Sequence, residues 1–127
     1  MIGMDWGKIS VTTLDEQFLM KITRVISDHL QDIDLNVGML QEEMALSREH
    51  LYRKLKALIG DSPSDLIRKM RLMTAASMIE KGERNITEIA LNTGFSSSSS
   101  FAQRFKKHFG MTPSDYARKF NKLRTRN

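Results

Sequence analysis

The stretch "LYRKLKALIGDSPSDLIRKM" at 51–70 lies over "FAQRFKKHFGMTPSDYARKF" at 101–120 at a constant offset of 50. Leu51 meets Phe101, Leu55 meets Phe105, Lys56 meets Lys106, Ile59 meets Phe109 and Gly60 meets Gly110. The triplet Pro63-Ser64-Asp65 returns as Pro113-Ser114-Asp115. Upstream the match continues at an offset of 49, pairing Asn36 with Asn85, Val37 with Ile86, Leu40 with Ile89 and Leu46 with Phe95. The second copy therefore holds one extra residue inside its serine run, Ser96 to Ser100. Self-similarity over this length means that one structural unit is used twice, so the fold must be built from two related halves.

Each half reads as helix, tight turn, helix. In the second, Asn85 is an N-cap with Glu88 three residues on to close a capping box, and Ile86, Ile89 and Ala90 make a short apolar face. Gly94 permits the left-handed turn that ends this helix, and Phe95 folds back into the core. Phe101, Phe105 and Phe109 then form one stripe of a helix that stops at Gly110. In the first half Val37, Leu40 and Met44 make the short helix, Ala45-Leu46 the turn, and Leu51, Leu55 and Ile59 the second stripe. Two helices joined by so short a turn are a helix-turn-helix.

The repeat also decides what five consecutive serines are for. Ser47 and Ser97 coincide, each one residue before a helix whose stripe begins four residues later, which is where an N-cap oxygen belongs. Ser98, Ser99 and Ser100 become the exposed first turn of a helix rather than a linker.

The rest of the chain fills in around the two units. Residues 13–30 open with a Thr13/Glu16 capping box and align Phe18, Ile22, Val25, Ile26 and Leu30. Residues 64–82 make one long helix with Leu66, Ile67, Met70, Met73, Ala75, Met78 and Ile79 apolar, and the nine methionines serve as core filler. The expected fold is all-α: two helix-turn-helix subdomains joined by a long linker helix, about seven helices. Its divisions are a linker tail at 1–12, the N-terminal helix and first helix-turn-helix at 13–63, the linker helix at 64–82, the second helix-turn-helix at 83–123 and a basic tail at 124–127.

Charge is distributed as unevenly as the repeat is regular. Residues 1–35 carry 3 basic and 6 acidic side chains, residues 36–82 carry 8 and 6, and residues 83–127 carry 9 and 3. Such a gradient suits a polyanionic partner for the later part of the chain. An enzyme is disfavoured: there is no cysteine, the three histidines (29, 50 and 108) are scattered, and no glycine-rich phosphate loop follows a strand. Without cysteine there is no disulfide framework, and a reducing cytosol is the natural setting. No apolar run approaches the roughly 18 residues that span a bilayer. A helical protein-interaction module with a basic docking face remains the alternative.

With two such units flanking a long helix, the chain resembles the DNA-binding domain of the AraC/XylS family of bacterial transcription regulators, over residues 15 to about 120. The most specific stretch is "NITEIALNTGFSSSSSFAQRFKKHFGMTPSDYARKF", with its I-A-x-x-x-G-F turn, F-K-K-x-F-G and closing T-P-x-x-Y. It departs from the family's pattern at Ser100 and Ala102, where an aromatic and a serine are frequent, and at Gln103, where arginine is frequent. The wording "TTLDEQFL…LYRKLKALIG…PSDLIRKMRL" is similar to the C-terminal output domain of hybrid two-component regulators of gut Bacteroidetes.

The resemblance implies that the chain is a fragment of a longer, dimeric regulator that binds double-stranded DNA and contacts RNA polymerase. No cofactor, metal or small-molecule ligand is implied for this fragment. Its location would be cytoplasmic, with an inner-membrane anchor for the full-length protein left open. Base reading falls to Glu49, Tyr52 and Arg53 of the first unit and to Ser98, Ser99, Ala102 and Gln103 of the second. Phosphate contacts fall to Ser47, Arg48, Lys56, Ser97, Arg104, Lys106 and Lys107. His50 is expected to pack or cap rather than read. A spacer helix of 18 residues measures about 27 Å at 1.5 Å per residue, near the roughly 34 Å between successive major-groove faces. The two recognition helices would therefore enter adjacent grooves on one side of the duplex.

Overall fold

Seven short polar side chains start seven helices. In the computed structural model, which describes residues 13–83 and 85–125, these are α1 (Leu14–Asp28), α2 (Val37–Met44), α3 (Arg48–Ile59), α4 (Pro63–Glu80), α5 (Ile86–Asn92), α6 (Ser98–Phe109) and α7 (Pro113–Thr125). Their caps are Thr13, Asn36, Ser47, Ser62, Asn85, Ser97 and Thr112, each accepting from the backbone N–H three residues on. A free first-turn donor is satisfied each time, worth about 1 kcal/mol per helix. The caps obey the repeat: Asn36 and Asn85, Ser47 and Ser97, Ser62 and Thr112. The chain is all-α among the described residues. The tail expected at 1–12 lies outside them, as do residues 126–127, and α7 continues past the expected end of the second unit.

The helix ends repeat as well. The N–H of Leu46 reaches the carbonyl of Gln41 at 3.1 Å and that of Ala45 reaches Glu42 at 3.3 Å; Phe95 to Ala90 at 2.9 Å and Gly94 to Leu91 at 3.1 Å reproduce the arrangement. Both units thus close their first helix with a Schellman motif. Gly94 does so at a φ of 87°, whereas Ala45 is the one positive-φ non-glycine described, at 55°. The capping box at Thr13/Glu16 forms fully. At Asn85 it does not: Glu88 accepts from the Asn85 side-chain amide, not from the backbone N–H.

Two apolar clusters form the interior, one per unit. The first joins Ile22, Val25, Ile26, Leu30, Leu40, Leu51 and Leu55 to Leu66 and Ile67 of α4. The second joins Leu72, Ala75, Ala76 and Ile79 of α4 to Ile89, Phe95, Phe101 and Phe105. One helix serves both cores and presents a different side to each, so it has no single stripe. Leu72, only 2% exposed, and Ala76 belong to the core although neither fits the expected stripe, while Met73 stands 60% exposed. The expected burial of Ile59 also fails, at 39% exposed. Its counterpart Phe109 is covered by Phe105 at 4.5 Å and Tyr116 at 5.6 Å between ring centroids. Leu66, which stands where Tyr116 stands in the second unit, offers no ring to cover Ile59.

Candidate nucleic-acid interface

Burial of Leu51 and Leu55, both fully inaccessible, fixes the rotation of α3. Arg48, Glu49, Tyr52, Arg53 and Lys56 are thereby turned outward and exposed. The first four line a single concavity of about 360 Å³, so the structure brings together all three first-unit residues expected to read bases. Lys56 donates to the Gly60 carbonyl at 3.3 Å and sits 5.7 Å from the centre of the Tyr52 ring. Lys54 is drawn away to Asp15 at 3.4 Å and lies over Phe18. His50 lines another groove, with Leu14, Phe18, Lys21 and Lys54. It is exposed and stands apart from the concavity. The hydroxyl oxygen of Ser47 is occupied by its capping bond from the His50 N–H, at 3.1 Å.

In α6 the buried rings of Phe101 and Phe105 do the same work. Ser98, Ser99, Gln103 and Lys106 are exposed and Ala102 is half-buried; helical spacing puts these five on one outer face. Ser97 caps the helix, accepting from the Ser100 N–H at 3.1 Å. Arg104 and Lys107 turn the other way. Both line a groove with Asp61, Asp65, Arg68 and Lys69 of the α3–α4 side. Arg104 also lines a cleft between the units, shared with Arg48, Arg68 and Arg71. They are separated from the outer face of α6 on which the other second-unit candidates lie.

Sequence reasoning missed the two arginines of α4. Their three-residue spacing puts them on one side of a helix, but nothing in the sequence tells that this side looks into the gap between units. Arg68 pairs with Asp65 at 3.0 Å. Hydrogen bonds from Ser62, foremost, and this arginine hold the Asp65 carboxyl below its usual range. Arg71 donates to the Asp32 carbonyl at 2.7 Å, and burial pulls its guanidinium below the usual arginine value. A Cβ placed on Gly94 would come within 2.5 Å of Arg71 Nε and 2.4 Å of the Leu30 carbonyl. Gly94 is thus required twice, for its backbone angle and because the two units meet across it.

Among the described residues no group of three or more His, Asp or Glu side chains could hold a metal ion, and no helix is long and apolar enough to cross a membrane. What remains is two exposed, cation-bearing second helices on two capped helix-turn-helix units. The family model for the helix-turn-helix domain matches residues 40–119. The chain belongs to this family, as a double-unit DNA-binding domain of the AraC type, and is not an enzyme.

The relatives carry the point further. The chain is 31% identical over 115 residues to histidine kinase P4 of Formosa agariphila, covering 91% of this chain and 8% of the kinase. It is 33% identical over 90 residues to the HTH-type transcriptional activator RhaS of Escherichia coli, covering 71% of this chain and 32% of RhaS. The C-terminal domain of AraT, a response regulator from Geobacillus stearothermophilus, superposes with a TM-score of 0.76 at 28% identity, over 84% of this chain and 88% of that one. The chain spans about a third or less of the curated relatives it matches.

Proposed function

We infer that the chain is the DNA-reading output domain of a transcription regulator, inserting α3 and α6 into adjacent major grooves on one face of double-stranded DNA. The observation that carries this reading is the pair of repeat-related, outward-facing helices held by one helix of 18 residues. Glu49, Tyr52 and Arg53 read bases in the first unit. Arg53 suits a bidentate contact to guanine, and Glu49 can accept from a cytosine amine. Ser98, Ser99, Ala102 and Gln103 form the second contact, where hydroxyls discriminate weakly and Gln103 can pair with adenine. Ser47, Arg48, Lys56, Ser97, Arg104, Lys106 and Lys107 serve the phosphates. The likeness to a histidine kinase and to a response regulator's C-terminal domain supports a two-component setting; a cytoplasmic location, a dimeric parent protein and RNA polymerase as a further partner belong to the same proposal.

The test is fluorescence anisotropy with labelled duplexes over a salt series. Neutralising about five phosphates gives a slope of log affinity against log salt near −4 to −5. Absence of duplex binding at low salt would remove the reading altogether.

A further inference from the structure

A cleft of about 750 Å³ lies between the two units. One wall is the loop after α1 with the start of α2, the other is the Gly94 turn with α6, and α4 makes the floor. Four arginines from three helices converge on it: Arg48 of α3, Arg68 and Arg71 of α4, and Arg104 of α6. One carboxylate, Asp34, lines it with them. The bond from Arg71 goes to the Asp32 carbonyl, with the Asp32 carboxylate acting on it at longer range, and Arg68 shares its charge with Asp65 at 3.0 Å. Arg48 and Arg104 have no ion pair or side-chain hydrogen bond among the described residues. Like charges gathered in a concave, partly desolvated space focus a positive potential there.

The position of the cleft says what that potential is for. Arg48 lines both the cleft and the concavity of Glu49, Tyr52 and Arg53. At the other end Ser100 and Arg104 line the cleft from α6, next in sequence to Ser99 and Gln103 on its outer face. On the two-groove reading, a strand running from one reading face to the other would pass the mouth of the cleft.

We propose that the cleft is a phosphate seat for the stretch of DNA backbone between the two sub-sites. Arg48 and Arg104 contact its non-bridging oxygens, and Arg68 and Arg71 supply charge from the floor. Guanidinium forks match phosphate oxygens two at a time, and the Ser64 and Ser100 hydroxyls at the rim can donate to the same groups. The seat rests on the DNA reading above and adds to it: one shared site, built from both units, that holds the uncontacted middle of the operator in register. The floor residues have no place in a scheme in which each recognition helix serves only its own groove.

The experiment uses the 127-residue chain and its best selected duplex, with uncharged methylphosphonates replacing phosphates either between the two sub-sites or beside each one. Central replacement of one bidentate contact should weaken binding about tenfold. Arg104→Gln should lower the salt slope by about 1 and remove most of the sensitivity to the central replacements while sparing sensitivity to the outer ones; Arg68→Gln, whose charge is shared with Asp65, should act in the same direction but less. Far-UV circular dichroism checks that the variants fold, and the wild-type arm needs no variant. Loss of affinity only from outer replacements would overturn the seat and leave the DNA reading standing, as would an Arg104→Gln variant that keeps full sensitivity to the central replacements. Failure of every duplex to bind would remove both.

Discussion

Ala45 holds a left-handed backbone angle at the position where the second unit has Gly94. An L-residue there carries about 1–2 kcal/mol of strain, against the about 0.4–1 kcal/mol by which alanine restricts the unfolded chain. Ala45→Gly should therefore stabilise the domain by about 0.5–1 kcal/mol, raising Tm by a few degrees. A differential scan checks this, and a lower Tm would show that the angle is not a strained one. Arg53 lies at the opposite extreme, exposed and with no partner among the described residues. Arg53→Ala should leave Tm unchanged, cost about 1–3 kcal/mol on the best site and relax preference at one base position. An unchanged selected motif would show that Arg53 does not read a base. At this scale the caps were legible, because a short polar side chain before an apolar stripe has one favoured use. The partner of Glu88 was not: Asn85, unlike Thr13, offers a side-chain amide donor, and the Glu88 carboxylate accepts from it.

Helices α3 and α6 occupy the same place in their units but differ in chemistry. Helix α3 offers a carboxylate, a phenol and a guanidinium within one concavity. Helix α6 offers two serines, an alanine and a glutamine. Discrimination should come mainly from α3 and affinity from α6, so Lys106→Ala should weaken all sequences about equally and leave the selected motif intact. Ser98 is exposed at the first helical position of α6. Ser98→Trp should therefore leave helicity and Tm nearly unchanged while damaging DNA binding, because the groove tolerates little bulk; unchanged affinity would remove the N-terminus of α6 from the interface.

Helix α7 docks on α4 through the hydrogen bond from Tyr116 to Glu80, and burial, then this bond, push the phenol up to about 12 from 10.0. The folded state keeps this proton longer than the unfolded chain. The contribution is thus present below pH 10 and lost as pH rises through about 12. Thermal melts over that window should show a smaller decline for Tyr116→Phe than for wild type. The boundaries of these elements were legible from caps and glycines. The facing of α4 was not, since a helix shared by two cores has no single apolar periodicity.

The whole molecule is one unit used twice around a shared helix. The repeat made that architecture legible in the sequence, while the cleft between the units depends on an angle no spacing encodes. Arg104 shows the difference: its charge was evident, but it turns toward α4 because Phe101 and Phe105 take the core side and Ser98, Ser99 and Gln103 the outer one. The later part of the chain carries the excess of positive charge, so steering by salt-dependent attraction should begin with the second unit. Affinity then depends on both helices reaching the duplex together. The most direct measurement is a hydroxyl-radical footprint of the chain on its selected site. Two protected patches on one face, centred about 10 base pairs apart, are the expected result. A single patch covering half a turn would contradict the two-groove reading.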